Sequence, residues 1–452
     1  MKIDRTTDKI SPLQYFTKHF EQIKRGGTLV LLKKIRSLIY LILQIPIYLI
    51  SIPTVIIIRL IRPWFLIRWG ELISSRIGHF SMDVELYCCK QEAGINVPSQ
   101  KYLDLFYLRK IICNRQLEKM WRRQLLILPN WLLFPLSKVN IFLNKFISGG
   151  NYHMIGFNDI RAISTNSDRD VHNLIEKFQP HISFTEEEEI KGKKILSDFG
   201  IPEHAKFVCL IVRDSAYLDR AKDLENLPNR FDYHRYRDGD IDKFMLAAEE
   251  LSKRGYYVFR MGAKVLKPLK SSNPKVIDYA YLGMRSEFMD IYLGAKCTFC
   301  VSLGGAGFFG IPFIFRRPNA YIMIPFGSFC VGNKYDLMIT KNHISTRNNK
   351  KLNFTEIFSS NVALSFTTDE FDDQNIHLEE NSSEEIRDLV IEMDDRLNGN
   401  WKETDEDVEL QKKFWKIFKE NIKKLNLPIA HNGKINAKFC STYLRKNKNL
   451  IQ

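Results

Sequence analysis

Twenty-two consecutive residues, Ser37 to Ile58 (SLIYLILQIPIYLISIPTVIII), carry no charge. A run of about 20 apolar residues is long enough to cross the hydrocarbon core of a bilayer. A chain that has one must bury it in a protein core or give it to lipid. The stretch before it is too long for a secretory signal, and no small-residue cleavage site follows. Two details argue against a plain span. Pro46 and Pro53 would each break a helical hydrogen bond. Basic residues also flank both ends, Lys33, Lys34 and Arg36 before and Arg59, Arg62 and Arg68 after. Positive flanks favour one side of a membrane, so the middle either spans or dips in as a re-entrant helix. They would also attract anionic headgroups, at about 1 kcal/mol per charge. A buried core hairpin is the competing reading.

The 452 residues are 45% hydrophobic, enough for two medium cores. The formal net charge is +15, from 67 Lys and Arg against 52 Asp and Glu. Such an excess suits nucleic acid, acidic lipid or a phosphorylated substrate. The basic residues are spread out and no nucleic-acid-binding motif appears, so nucleic acid is not expected as a partner. Eight cysteines show no regular framework, as in a reducing compartment. Cys297 and Cys300 have a metal-pair spacing, yet CTFCVS reads as a buried strand. Positions three apart on a strand face opposite ways, so no metal is expected there.

From about residue 70 the pattern is mixed α/β. RIGHFSMDVELYCCKQEAG (76–94) runs from a small-residue turn into a helical pattern, and LDLFYLRKIIC (103–113) contains a strand. FTEEEEIKGKKILSDFGIP is a helix with Thr185 as N-cap, four glutamates loading the first turn, and Gly200 past its end. Beyond it KFVCLIVRD (206–214) is a continuous apolar strand, as in a parallel sheet covered on both faces. A long polar loop follows, then a helix capped by Asp240. The strands YYVFRMG, ending at Gly262, and VIDYA come next, then the helix SEFMDIYLGA and the strand CTFCVS. This alternation makes a doubly wound sheet. From Ser382 to about Leu425 the pattern is helical.

In such sheets ligands bind beyond the carboxyl ends of the strands. CVSLGGAGFFGIP contains a literal G-x-G-x-x-G: Gly305, Gly307 and Gly310. A dinucleotide fold needs a full helix after the glycines and an acid about twenty residues on. Pro312 stops the helix, and no Asp or Glu lies between Asp290 and Asp336. The loop is therefore either a cradle for another phosphate group or a tight structural turn. Arg213 and Asp214 end the first strand; Arg213 either meets phosphate or pairs with a carboxylate. The loop DYHRYRDGD groups Tyr233, His234, Arg237 and Asp238, which suit hydroxyls and phosphate. Ser286 is an N-cap, leaving Arg285 to reach a ligand.

The segments FTEEEEIKGKKILSDFGIP, VRDSAYL, DYHRYRDGDIDKF, RMG, IDYA, RSEFMDIYLGAKCTFCVS and DRLNGNWKETDED together resemble a family of bacterial glycosyltransferases encoded with surface-polysaccharide genes. The resemblance runs from about residue 76 to the end and is dense between 184 and 330. It implies two Rossmann-like doubly wound domains of the GT-B kind behind the N-terminal hydrophobic helical segment. The implied division is a membrane-associated segment 1–70, an acceptor-binding domain 71–184, a donor-binding domain 185–380, and C-terminal helices 381–452 packing back across the domains. It further implies a nucleotide-sugar donor, a glycan or lipid-linked acceptor, and attachment to the cytoplasmic face of the inner membrane through 37–58. Neither cofactor nor metal is expected. Arg213 and Arg285 would offset the donor phosphates in a basic crevice. Ser302 and the amides of Gly304, Gly305 and Gly307 would hold the departing diphosphate. Asp214 or Asp278 would hold the ribose. The strand followed by V-R-D also looks like the donor edge of fucosyltransferases, without their doubled arginine. A general base is required for an inverting reaction; His79, with Asp83, is the first candidate, and packing within the turn is its other reading. A pyruvyltransferase of polysaccharides or a non-catalytic membrane scaffold would also fit the charge and the anchor.

Overall fold

The computed structural model describes residues 12–156, 170–216, 232–322, 326, 333–365, 367–424 and 434–451. The chain divides into two compact units, neither continuous in sequence. One comprises 1–69, 100–107 and 128–154; the other comprises 70–99, 108–127 and 155–452. Residues 70–99 and 108–127 belong to the same unit as 185–380.

In the first unit a helix, Pro12–Ile61, bends at Gly27, whose φ of 60° and ψ of −155° interrupt the helical ladder. Pro46 and Pro53 both lie inside the helix. Each proline removes a single hydrogen bond and the remaining ladder carries through. The stretch Gln44–Ile61 has a mean hydropathy of 1.9 and only 11% of it is buried, so a core hairpin does not describe it. It is long and apolar enough to cross a membrane. A second helix, Asn130–Leu143, which the sequence patterns above did not reveal, packs beside it. Val55 of the first helix meets Leu133, Leu136 and Val139 of the second, with Tyr107 completing the cluster. Arg59 clasps the pair. Its Nε donates to Asn140 Oδ1 at 2.9 Å, its Nη2 to the Asn140 carbonyl at 2.7 Å and its Nη1 to the Ile147 carbonyl at 2.9 Å.

The strands β1 (Leu66–Leu72) and β2 (Tyr102–Leu108) form a two-stranded sheet of their own. A second doubly wound sheet is therefore absent among the described residues, and the expectation of two Rossmann-like domains is corrected to one.

That one sheet lies in the second unit. Its strands are β3 (Phe207–Ile211), β4 (Tyr257–Met261), β5 (Val276–Ile277), β6 (Phe299–Leu303), β7 (Asn319–Ile322), β8 (Leu337–Met338) and β11 (Lys438–Phe439). The spatial order is β11-β8-β7-β6-β3-β4-β5, with every pairing parallel. All five residues of β3 and of β6 are buried, as continuous apolar runs predict for a sheet covered on both faces. The remaining strands, β9 (Asn342–Ser345) and β10 (Ile376–Glu379), form an antiparallel pair. The C-terminal helices Ser383–Leu397 and Asp405–Lys424 pack on Met245–Lys253 and Phe354–Phe358 respectively.

The acidic helix Glu186–Asp198 starts with a full capping box, Thr185 accepting from the Glu188 amide and Glu188 reaching back to Thr185. Its one glycine has a packing reason. A Cβ at Gly192 would fall 2.2 Å from the ring of Tyr292, a buried residue of helix Glu287–Lys296. Gly192→Ala is expected to destabilise the protein by about 1–3 kcal/mol through overpacking. Equilibrium urea unfolding would measure it, and an unchanged midpoint would contradict this docking.

Candidate functional site

From β3 the chain moves outward to β4 and β5, then returns to β6 on the other side of β3. Ile211 lies opposite Ser302 in the resulting pair. The carboxyl ends of β3 and β6 thus flank the topological switch point, where open α/β sheets bind ligands. Arg213 and Asp214 leave one of these ends; Gly304 and Gly305 leave the other.

A cavity of about 750 Å³ opens on the β3–β4 side, with Arg213, Tyr236, Asp238, Arg260 and Lys341 in its wall. Arg213 Nε lies 3.3 Å from Asp238 Oδ1, and the Arg213 carbonyl accepts from the Gly239 amide at 3.1 Å. Lys341, buried between β8 and β9, donates its Nζ to the Asp238 carbonyl at 2.7 Å. Burial pulls the Lys341 pKa down to about 8 and pushes the Asp238 carboxyl up. Arg260 is 1% exposed. Its Nη1 donates to the Lys267 carbonyl at 2.5 Å, and its guanidinium stands 3.5 Å from Asp278 Oδ2 and 3.9 Å from Asp214 Oδ2. Its buried Nε has no hydrogen-bond partner among the described residues. A desolvated donor left unpaired is costly, and a ligand oxygen would relieve it.

The expectation of a basic crevice is corrected in one respect. Five cations (Arg213, Arg235, Arg260, Lys267, Lys341) line the cavity against five carboxylates (Asp214, Asp238, Asp240, Asp372, Glu380), so its charge is balanced rather than positive. Several of these groups are already engaged. Asp214 accepts the amides of Ala216 at 3.0 Å and Leu266 at 2.9 Å, and Lys267 joins Asp240 to Asp242, both at 2.7 Å.

The loop DYHRYRDGD forms a short 3-10 turn, Asp232–Arg237, and links the cavity to the glycines. Tyr233 offers its carbonyl to Thr368, and the side chain of His234 lies outside the described residues. Arg237 donates to the Tyr236 hydroxyl at 2.7 Å, and its stem lies over Gly305. A Cβ on Gly305, whose φ is +84°, would stand 2.6 Å from Arg237 Cδ. That position needs glycine twice over.

Several expected phosphate ligands are taken up elsewhere. Ser302 is fully buried and donates to Asn319 Oδ1 at 2.8 Å. The Gly304 amide donates to the Ile322 carbonyl at 2.7 Å. Arg285 pairs with Asp290 of the helix it precedes at 2.6 Å, and Ser286 caps that helix. Burial pushes Asp290 up to about 6. None of these lines the cavity. Gly262 follows β4, where a Cβ would meet Val265 Cγ1 at 2.9 Å.

His79 and Asp83 occupy the start of helix Ile77–Glu92. His79 Nδ1 lies 3.2 Å from Asp83 Oδ2; the carboxylate is buried while the imidazole is a third exposed. Gly78, just before His79, rests on the glycine loop, since its Cβ would fall 3.1 Å from the Gly307 carbonyl oxygen. Gly310 is equally tight, its Cβ position 2.4 Å from Ser81 Oγ. Gly307 and Gly310 therefore seat this helix, and the turn reading accounts for them. The helix in turn holds an oriented imidazole beside the end of β6, with Nε2 as the basic nitrogen when Nδ1 donates to Asp83.

Sequence reasoning missed Arg260, Lys341 and Tyr236. Arg260 had a signal, a lone charge inside the apolar strand YVFRM. Lys341 had none, because its neighbours in the cavity come from distant segments.

No protein-family model matches the chain, and no curated protein matches it in sequence. Among solved structures, a family 9 glycosyl transferase from Veillonella parvula DSM 2008 aligns at 9% identity with a TM-score of 0.34. The alignment covers 57% of this chain and 81% of that one. The dodecameric iron-containing heptosyltransferase TibC, in complex with ADP-D-beta-D-heptose, aligns at 9% identity with a TM-score of 0.27, over 58% of this chain and 60% of that one. Scores this low do not establish a common fold.

Proposed function

We propose that this chain is a metal-independent glycosyltransferase. It moves a sugar from a nucleotide-sugar donor to a hydroxyl of a surface-polysaccharide or lipid-linked glycan acceptor, at the cytoplasmic face of a membrane reached through its apolar helix. One observation carries the reading: three low-exposure cations, Arg213, Arg260 and Lys341, converge on a cavity at the carboxyl edge of a parallel sheet, beside its switch point. Cations held in a low-dielectric wall stabilise diphosphate charge as it grows on the leaving group. The carboxylates that balance them suit the hydroxyls of ribose and sugar. The resemblance of the second-unit segments to surface-polysaccharide glycosyltransferases points the same way. On this reading His79 Nε2 removes the acceptor proton, and Asp83 orients the ring and steadies its charged form. A pyruvyl donor would fit the same cations, and a donor assay separates the two.

Arg213→Ala is expected to abolish turnover of nucleotide sugars while unfolding stays cooperative; full turnover in that variant would contradict the donor site. Added EDTA is expected to leave turnover intact, because protein cations supply the counter-charge. His79→Gln should lower kcat about 10²–10⁴-fold with little change in donor binding. A loss confined to donor affinity would remove His79 from the base role.

The pH dependence follows from Lys341. Its ammonium form attracts phosphate, and its pKa near 8 means that this form is lost as pH rises through about 8. Donor affinity by calorimetry is therefore expected to fall between about pH 7 and pH 9. Lys341→Arg, which stays charged, should flatten that profile. A profile of the same slope in both proteins would exclude Lys341 from donor binding.

A further inference from the structure

We propose that helix Asn130–Leu143 and its turn through Ile147 enter the same anionic lipid leaflet as Gln44–Ile61, so that the chain meets the membrane through a two-helix wedge. The inference rests on the membrane attachment proposed above and adds to it a second, separate element.

The second helix is packed on the first through one face only. On the other, Trp131 is 62% exposed and Phe142 57%, and Phe146 in the turn that follows is 72% exposed. The first helix leaves Leu49, Ile50 and Leu60 exposed to a similar degree. Both helices thus leave large apolar side chains to the outside, the kind of surface that marks an interaction site. At 14 residues the second helix is about 21 Å long, too short to cross a bilayer, so it can only lie within one leaflet.

The backbone at the end of this helix is prepared for lipid. Polar main-chain groups there must be satisfied by the protein itself. Arg59 takes the carbonyls of Asn140 and Ile147, the Gly150 amide donates to Asn144 Oδ1 at 2.8 Å, and Asn140 Nδ2 donates to the Gly150 carbonyl at 2.9 Å. Lys138 lays its amine 5.0 Å from the Phe134 ring centre, a stem that can extend to the headgroups.

Charge identifies the occupant. The unit that holds both helices carries fifteen Lys and Arg against four Asp and Glu, a net +11 of the chain's +15. Between Glu118 and Asp159 there is no acidic residue at all. A second copy of the chain would bring the same excess of positive charge to the contact; an anionic leaflet complements it.

The test is co-flotation of the full-length protein with phosphatidylcholine vesicles, with and without phosphatidylglycerol. The wild type should bind the anionic vesicles more tightly, and the Trp131→Ser/Phe146→Ser double variant should lose roughly tenfold or more of that partitioning. Its unfolding midpoint and nucleotide-sugar turnover should not change, since both side chains are exposed and distant in sequence from the donor residues. Equal binding by wild type and variant overturns the wedge and leaves attachment by Gln44–Ile61 standing. No binding by the wild type overturns the attachment itself. A wild type that is dimeric, a monomeric variant and equal partitioning would assign the face to a second copy and likewise overturn the wedge.

Discussion

In a parallel sheet covered on both faces, the strand ends are the only part of the sheet left to meet a ligand. The seven strands of the second unit obey this constraint, and everything near the cavity follows from it. Because β6 returns beside β3, residues nearly a hundred positions apart emerge as neighbours. Arg213 leaves from β3 and the glycine loop from β6. Arg260 belongs to the adjacent β4, where it pairs with Leu210 across the ladder. A guanidinium in that position cannot retreat into water, so its charge is offset by carboxylates at 3.5 and 3.9 Å and by a carbonyl. Such an arrangement is poised rather than relaxed, since the carboxylates are loose partners and one donor is unpaired.

Much of this was legible in the sequence. The apolar strand KFVCLIV, the helix behind Thr185, the cap at Ser286 and the strand CTFCVS all form where local chemistry dictates. The edge position of Arg213 could be read too, because it follows from where a strand must stop, whereas its pairing with Asp238 could not. Other features depend on approach from a distance. The G-x-G-x-x-G looks identical whether its glycines face a phosphate or another backbone, and only the arrival of Gly78 and Arg237 decides it. Ser302, Gly304 and Arg285 looked available because their partners Asn319, Ile322 and Asp290 are chosen by strand order and helix phase. The second doubly wound sheet was expected from the resemblance alone, and 66–72 and 102–108 form only a two-stranded sheet.

The net charge divides unevenly between the two units. The cavity is balanced, while the smaller unit carries most of the excess. An overall positive charge therefore says little about the ligand site in this chain. It reports on the surface around two exposed apolar helices, where Arg59 holds the pair together and the net positive charge acts at long range.

The contact of Gly78 with Gly307 has a kinetic meaning under the proposed chemistry. Where reacting groups belong to hinged lobes, each cycle waits for closure before the proton can move. Here the imidazole rides on a helix bolted to the strand edge that bears the glycine loop, so the two shift as one body. Under that chemistry the proton acceptor would stand at this edge before any substrate arrives.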